Sequence, residues 1–186
     1  MGATRVLIII LTLALPTLLF ILLFKQSLDV DISPWPSNRQ MRRALIEALP
    51  DSVQAQGEIW DLGSGWGGLV QCLAEKYPQS QVIGVELSWI PWLMSQLYNR
   101  LSSQKNITIR RENFYDTSLS HASLVVCYLF PGAMESLRSK FKSELPPDSW
   151  VASITFEIPG WHPERVVEIG EVRRLTIYLY RLSSQD

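Results

Sequence analysis

From residue 57 onward, short apolar runs alternate with longer segments in which apolar residues recur every three or four positions. The short runs have the length of buried strands and occupy 57–64, 81–86, 106–110, 123–130 and 150–158. The longer segments have the period of helices and lie at 67–77, at 88–101 and after Pro131. Strands that alternate with helices predict a parallel sheet with right-handed crossovers.

The two ends of this region depart from the alternation. Residues 38–50 repeat apolar side chains with helical spacing, and Pro50 ends that helix. Near the C terminus, Arg165–Ile169 and Leu175–Tyr180 flank Gly170 and predict an antiparallel hairpin. The predicted fold is therefore α/β, with a Rossmann-like, mostly parallel sheet and an antiparallel C-terminal hairpin.

An uninterrupted apolar run, Val6–Phe24, precedes this fold and carries no charged side chain. A helix of this length rises about 1.5 Å per residue and nearly crosses the ~30 Å hydrocarbon core of a bilayer, which predicts one N-terminal transmembrane helix. A secretory signal peptide is the alternative. The run is long for a signal peptide, however, and no small-x-small cleavage site follows it.

Charged residues on either side of the apolar run predict its orientation. Arg5 is the only basic side chain before it, whereas Lys25, Arg39, Arg42 and Arg43 follow it. The positive-inside rule therefore predicts a single-pass membrane protein whose C-terminal domain lies in the cytoplasm. The predicted organisation is a transmembrane anchor at 1–26, a linker at 27–37 and one folded domain at 38–186.

The overall charge and the cysteines exclude several classes of function. With 17 basic and 18 acidic residues the net charge is −1, so the chain has no excess of basic residues with which to bind nucleic acid. Nucleic acid is therefore not an expected partner. Cys72 and Cys127 lie in apolar segments without metal-ligand spacing and are predicted to be buried free thiols. No metal site is predicted.

The glycines after the first strand indicate a cofactor turn. Gly63, Gly65 and Gly68 satisfy the spacing G-x-G-x-x-G, and Glu86 ends the next strand, where a ribose-binding acid is expected. Glycines at such a turn let the backbone approach a ligand closely. This pattern alone is compatible with NAD or FAD.

Asp61 decides between a dinucleotide and a cationic cofactor. It lies two residues before the first glycine, where a pyrophosphate would be repelled by several kcal/mol even at an effective dielectric constant of about 20. The same carboxylate suits S-adenosyl-L-methionine, which carries an ammonium and a sulfonium and no phosphate. The alternative is an acid that only complements the dipole of the following helix.

These motifs resemble a known family. The sequences DLGSGWG and GVELS are similar to the first two motifs of class I, seven-strand methyltransferases that use S-adenosylmethionine. The later segments ASLVVCYLFP and FEIPGWHPER resemble small membrane-associated lysine methyltransferases. Members of that group modify the adenine nucleotide translocase or the ATP synthase c subunit, and they have bacterial relatives. The resemblance covers roughly residues 38–182 and implies the cofactor S-adenosyl-L-methionine.

The resemblance also implies roles for individual residues. Asp61, Gly63 and Gly65 contact the methionine end of the cofactor, Glu86 the ribose, and the Asn113-Phe114 segment the adenine. The complete set of cofactor residues that it implies is Asp61, Gly63, Ser64, Gly65, Glu86, Leu87, Asn113 and Phe114.

Two positions depart from the family pattern. The family usually has an acid, a glycine and a basic residue where this chain has Trp66, Gly67 and Gly68, and an aspartate where it has Asn113. Asn113 still offers a carbonyl oxygen to the adenine amino group. Trp66 either forms a wall of the methionine pocket or indicates an altered substrate or a weakened site.

Candidate residues for the methyl acceptor lie near the later strand ends. If the acceptor is a lysine, Tyr128, Glu157 and His162 are candidates to take its proton or to orient the amine. The alternative roles are a core side chain for Tyr128, a surface side chain for Glu157 and a loop side chain for His162. Trp161 either stiffens a turn between Pro159 and Pro163 or lines the acceptor entrance.

Three functions remain compatible with the sequence. The favoured one is a membrane-anchored protein-lysine N-methyltransferase that acts on a membrane or membrane-proximal protein. The second is a small-molecule or lipid methyltransferase on the same fold, and the third is a catalytically weak membrane-bound binding or scaffold protein. The sequence leaves open the acceptor, the number of methyl groups added and the oligomeric state.

Overall fold

The computed structural model describes residues 12, 14, 39–51, 53, 57–169 and 175–183. The predicted transmembrane segment, apart from Thr12 and Ala14, lies outside these residues, as do the linker and Gly170 of the predicted hairpin. Within the described residues, no helix is long and apolar enough to cross a membrane. The chain divides into two compact units, Met1–Pro34 and Trp35–Asp186, and the second contains the helices and strands that follow.

Helices and strands alternate along the described part of this unit, as the sequence predicts. The helices are α1 (Arg39–Ala48), α2 (Gly68–Lys76), α3 (Trp89–Leu101) and α4 (Pro131–Glu144). The strands are β1 (Glu58–Leu62), β2 (Val82–Val85), β3 (Ile107–Arg110), β4 (Ala122–Cys127), β5 (Trp150–Ile154), β6 (Arg165–Ile169) and β7 (Leu175–Arg181).

The strands form one seven-stranded sheet in the order β3-β2-β1-β4-β5-β7-β6. The first five strands in this order are parallel, whereas β7 pairs antiparallel with both β5 and β6. The predicted parallel sheet with an antiparallel hairpin is therefore confirmed. Because the first five strands share one direction, the residues that follow them meet at one edge of the sheet, which we call the carboxyl edge.

Each face of the sheet is covered by helices. On one face, α1 and α2 contribute apolar side chains that include Met41, Leu45 and Leu73. On the other face, α4 contributes Met134, Leu137 and Phe141. All six residues of the central strand β4 are buried, because both of its faces are covered. The core therefore holds the ends of the central strands in fixed register.

The structure differs from the sequence-based boundaries at two strands. β4 ends at Cys127 rather than at residue 130, and β5 ends at Ile154 rather than at residue 158. Thr155 takes a φ of 78°, a left-handed conformation that ends the extended strand. Apolar residues therefore continue beyond both strands as buried loop positions, among them Leu129 and Ile158.

Helix α3 confirms the predicted helix, but the leucines that mark it in the sequence do not pack into the core. Ser88 occupies the N-cap position without a side-chain capping bond. Leu93, Leu97 and Leu101, which mark this helix in the sequence, are all exposed. Its one fully buried residue is Ser95.

Candidate active site

The turn between β1 and α2 has a backbone that only glycine adopts freely. Gly63, Gly65 and Gly67 have φ values of 79°, 53° and 79°. A Cβ at Gly63 would lie 2.9 Å from Leu129 Cδ2, and one at Gly67 would lie 2.9 Å from Ser95 Cβ. At Gly65, by contrast, nothing lies within 4 Å of that position. The turn is packed at its two ends and open in its middle.

The turn is held by the end of β2. The backbone N–H groups of Gly63 and Ser64 both donate to Val85 O at 2.9 Å. Gly65 N–H donates to Glu86 Oε2 at 3.0 Å, and Ser88 N–H donates to Glu86 Oε1 at 2.7 Å. Glu86 is only 7% exposed, so its carboxylate is fixed between the turn and the start of α3. The predicted methionine and ribose residues are thereby brought together.

Asp61 lies in β1, directly before this turn. It is 3% exposed, and among the described residues its Oδ2 has no hydrogen-bond partner. Burial, and secondarily the charge of Glu86, raise the pKa of Asp61 to about 7. A buried polar oxygen without a partner costs free energy that a bound donor or cation recovers. The neighbouring Ser64 Oγ is likewise buried and unpartnered in the described part of the chain.

The predicted adenine residues follow β3 at the same edge. Glu86 N–H donates to Arg110 O at 3.1 Å, which joins the ends of β2 and β3. Asn113 Oδ1 accepts a hydrogen bond from Tyr115 N–H at 3.1 Å, and Phe114 is buried in the core. Leu87 is half exposed beside the turn. Leu87 and Asn113 are therefore available to a ligand, whereas the Phe114 side chain packs inward.

The predicted acceptor residues Tyr128 and Glu157 follow β4 and β5. Cys127 lies opposite Leu62 of β1 and Ser153 of β5 in the sheet. Tyr128 is therefore one residue beyond the end of β1, close to the glycine turn. Tyr128 is partly buried against the core, and Glu157 is exposed. Tyr128 therefore lies at the carboxyl edge, and Glu157 lies in the loop that follows β5.

Thr155 is a candidate site residue that the sequence did not predict. It has a positive φ of 78°, which is strained for a β-branched residue, and its Oγ1 is buried without a partner among the described residues. It directly follows β5 at the carboxyl edge, next to the strand that leads to Tyr128. The sequence carries no signal for it, because threonine is uncommon at positive φ.

His162 lies apart from Tyr128 and from the carboxyl edge. After Glu157 the chain turns back along α4, where Pro159 O accepts a hydrogen bond from Arg138 Nη1 at 3.2 Å. Trp161 then packs against the rings of Phe141 and Tyr180, with centroids 6.4 and 5.9 Å away. Tyr180 pairs with Val151 near the start of β5, away from the carboxyl edge. Trp161 is a packing residue, and His162 is exposed beyond it.

The two cysteines are free thiols, as predicted. Cys127 is fully buried, and burial, with a smaller effect from the Asp61 charge, raises the pKa of its thiol far above the usual range. Cys72 is half-buried, and its Sγ donates to Gly68 O at 3.3 Å. Cys127 therefore stays protonated and does not act as a nucleophile.

A cleft of about 400 Å³ lies away from these residues, between α1 and α2. It is lined by Arg39, Arg42, Arg43, Ile46, Cys72, Glu75 and Lys76. None of the predicted site residues contributes to it.

Comparison with known proteins identifies the family. Residues 61–165 match the ANTKMT methyltransferase domain, and this match covers more than half of the chain and includes the glycine turn. The chain belongs to this family. A curated protein-lysine N-methyltransferase of Saccharolobus islandicus (strain REY15A) is 28% identical over 153 residues, which are 78% of this chain and 90% of that protein.

Solved structures show the same fold. An RNA methyltransferase from Salinibacter ruber in complex with S-adenosyl-L-homocysteine matches with a TM-score of 0.70 at 21% identity, over 81% of this chain and 95% of that one. A precorrin-6y C5,15-methyltransferase from Geobacter metallireducens GS-15 matches with a TM-score of 0.63 at 12% identity, over 80% and 90%.

The predicted enzyme class is therefore confirmed. The chain is a class I methyltransferase that depends on S-adenosyl-L-methionine. The chemistry of the turn fits this cofactor, because the buried Oδ2 of Asp61 has no partner among the described residues and can pair with a cationic group, and because the space beside Gly65 is open.

Proposed function

We propose that this methyltransferase is a protein-lysine N-methyltransferase that acts on a membrane or membrane-proximal protein. The observation that carries the cofactor part of the proposal is the buried Oδ2 of Asp61, unpartnered among the described residues, beside an open glycine turn. The lysine acceptor is supported by the lysine-specific relative, which this chain matches over 90% of that protein's length.

The cofactor half of the site is formed by residues that follow β1, β2 and β3. In the proposal, Asp61 pairs with the ammonium of the methionine moiety, and the open backbone of Gly63 and Gly65 admits it. Glu86 accepts from the ribose hydroxyls with the lone pairs that its two backbone hydrogen bonds leave free. Leu87 covers the adenine, and Asn113 accepts from its amino group through the remaining lone pair of Oδ1.

The acceptor half is formed by residues that follow β4 and β5. The cofactor, when bound, would supply an electrophilic methyl group for transfer to a neutral lysine amine. A lysine normally carries its proton at neutral pH, so the site must remove that proton. Tyr128 and Glu157 are the groups for this task, and the buried Oγ1 of Thr155 is an acceptor that can orient the amine N–H groups.

The membrane part of the proposal is supported by the sequence. The run Val6–Phe24 is uncharged, and basic residues predominate after it. We propose a transmembrane anchor at 1–26, a linker at 27–37 and a methyltransferase domain at 38–186 on the cytoplasmic side. An anchor of this kind restricts the acceptors to lysines near the membrane surface.

The test is to incubate the purified full chain with S-adenosylmethionine labelled in its methyl group and with membranes from cells that lack the protein. We expect label in membrane protein, and mass spectrometry should locate an added CH₂ on lysine. An Asp61→Asn variant is the matched control, because it keeps the size of the side chain and removes the charge that pairs with the cofactor.

The distribution of label separates this proposal from its alternatives. Label in the solvent-extractable fraction would instead establish a lipid or small-molecule acceptor. Label in protein on residues other than lysine would overturn the lysine assignment. Transfer by Asp61→Asn at the wild-type rate would overturn the assigned role of Asp61.

A further inference from the structure

Helix α3 has the reverse of the polarity that a surface helix normally shows. Soluble surface helices turn an apolar stripe towards the core and a polar face towards water. In α3 the exposed side chains are, apart from Arg100, large and apolar, with Leu97 49% and Leu101 80% exposed. We define the outer face of α3 by its exposed apolar residues Trp89, Leu93, Met94, Leu97, Tyr98 and Leu101.

Polar residues, together with the partly buried Trp92, attach α3 to the protein. Ser95 is buried against Gly67 of the cofactor turn. Gln96 Nε2 donates to Ile109 O at 3.0 Å, and Asn99 Nδ2 donates to Ile107 O at 3.4 Å. Both carbonyls belong to β3, the edge strand of the described sheet, so the amides satisfy backbone groups on its unpaired side. These bonds fix which side of the helix faces outward.

The outer face forms a continuous surface. Trp89, Leu93, Leu97 and Leu101 recur every four residues, and Met94 and Tyr98 form an adjacent row with the same spacing. A contiguous exposed apolar surface of this kind marks an interaction site in a folded protein, because leaving it in water is unfavourable.

The surrounding charge identifies the class of partner. Between Glu86 and Glu112 the chain has no acidic residue, whereas it has the basic residues Arg100, Lys105, Arg110 and Arg111. The Arg111 guanidinium lies 5.5 Å from the Trp89 ring centroid, at the start of the outer face. An apolar helix face with tryptophan and tyrosine, within a segment whose only charges are cations, is complementary to the interface of an anionic lipid bilayer.

We propose that α3 is an interfacial helix whose outer face inserts into the surface of an anionic membrane. This contact is distinct from the proposed transmembrane anchor, and it rests on the proposed membrane location of the enzyme. Because Ser95 packs against Gly67, the contact would hold the cofactor turn at a fixed distance from the lipid surface. The acceptors would then be lysines that lie close to the headgroups.

The test measures the insertion of α3 without using methyl transfer. The full chain, with Cys72→Ser and Leu97→Cys, is labelled with an environment-sensitive fluorophore and reconstituted in phosphatidylcholine vesicles with or without phosphatidylglycerol. The matched control carries the label at Ser139→Cys, an exposed position on α4. We expect nitroxide-labelled lipids to quench the residue-97 label at least several-fold more than the control label, and more strongly with phosphatidylglycerol.

Two further variants separate the apolar and the charged contributions. Leu93→Ser with Leu101→Ser should reduce lipid quenching of the residue-97 label, whereas Val166→Ser, at an exposed apolar position on β6, should not. Arg100→Glu with Lys105→Glu should remove the effect of phosphatidylglycerol. Because these side chains are exposed, thermal unfolding should change little in all of these variants.

Three results would overturn the proposal. Equal quenching of both labels by aqueous iodide would place the outer face in water. Protection of the residue-97 label from both quenchers would show that another protein segment or a second copy covers it. Equal lipid quenching with and without phosphatidylglycerol would show that the basic residues do not bind anionic lipid.

The same measurement distinguishes failure of this inference from failure of the proposed function. Lipid quenching of the residue-97 label in a chain that methylates no lysine would refute the proposed function and retain the interfacial helix. Lysine methylation by a chain whose residue-97 label stays in water would support the proposed function and refute the interfacial helix.

Discussion

The two halves of the carboxyl edge differ in how their residues are held. The cofactor half is rigid, since Gly63, Gly65 and Ser88 are held by hydrogen bonds to the end of β2. The acceptor half consists of loop residues, of which Glu157 is exposed and Thr155 is strained. This contrast suits an enzyme that binds one constant cofactor and a separate acceptor chain. Variants of the first half should change cofactor affinity, and variants of the second half should change turnover.

The largest effect is expected for Asp61→Asn. Removing the charge that pairs with the cofactor should weaken S-adenosylmethionine affinity roughly 10- to 100-fold, the scale of a lost hydrogen bond to a charged group. The same variant should stabilise the cofactor-free protein at pH 8, by an amount of the order of 2 kcal/mol, because the amide avoids burying a charge. Calorimetry and denaturant unfolding measure the two effects. Unchanged affinity would show that Asp61 does not pair with the cofactor.

The pH dependence of the wild-type protein tests the same carboxyl group. The pKa of Asp61 in the folded protein is about 7, above its ordinary value of 3.8, so the folded state retains this proton to higher pH. The cofactor-free protein should therefore lose stability as pH rises from about 4 to about 7. Cofactor affinity should move in the opposite direction and be about tenfold higher at pH 8 than at pH 6, because only the ionised carboxylate pairs with a cation.

The Asp61→Asn variant is the control for this titration. Its affinity should be low and nearly constant between these two pH values. If its pH profile has the same slope as that of the wild type, a group other than Asp61 controls binding.

Glu86→Gln should have a smaller effect on affinity than Asp61→Asn. The amide oxygen that this substitution introduces can still accept one of the two backbone hydrogen bonds that Glu86 accepts now, from Gly65 and Ser88. We expect affinity to fall several-fold, as for the loss of one hydrogen bond of about 1 kcal/mol. Isothermal titration at pH 8 measures it. A larger loss than for Asp61→Asn would reverse the order of importance within the cofactor half.

Thr155→Gly probes the acceptor half. Glycine adopts positive φ without a steric penalty, so the free energy of unfolding should rise by about 1 kcal/mol. If the Thr155 hydroxyl orients the acceptor amine, kcat should fall while cofactor affinity stays unchanged. Denaturant unfolding, steady-state kinetics and calorimetry measure the three quantities. Loss of cofactor affinity in this variant would show that the two halves are not separate.

His162→Ala should have the smallest effect. The chain before His162 turns back along α4 and away from the carboxyl edge, so we expect kcat and cofactor affinity to remain within about twofold of the wild type. Steady-state transfer to a lysine substrate and calorimetry measure them. A strong fall in kcat with unchanged thermal stability would show that His162 acts on the methyl acceptor.

Much of the cofactor half was predictable because its chemistry is local in sequence. Asp61 and the glycines lie within a few residues of one another, and Glu86 is one helix and one strand further on. Parallel strands bring such residues to one edge whatever the details of packing. The acceptor half was less predictable, because Thr155 depends on a backbone conformation and His162 on the path of a loop.

The helices also differ in how much of their packing could be predicted from the sequence. Sequence periodicity predicted both α3 and α4, and α4 buries its apolar residues Met134, Leu137 and Phe141 as an amphipathic helix should. Periodicity reports that apolar residues share a face, but it does not report what that face contacts. In α3 the face that carries Leu93, Leu97 and Leu101 is exposed, because the helix is attached through Trp92 and through amide side chains that bond the edge strand.

The amino-acid sequence was sufficient to predict the succession of strands and helices along the chain, the glycine turn and the preference for a cationic cofactor, because each depends on spacing within one short segment. Only the tertiary structure decided that Asp61 Oδ2 is buried without a partner among the described residues, that Thr155 is strained, that His162 lies apart and that α3 faces outward. These properties depend on contacts between segments that are distant in the chain, and local patterns carry no information about them.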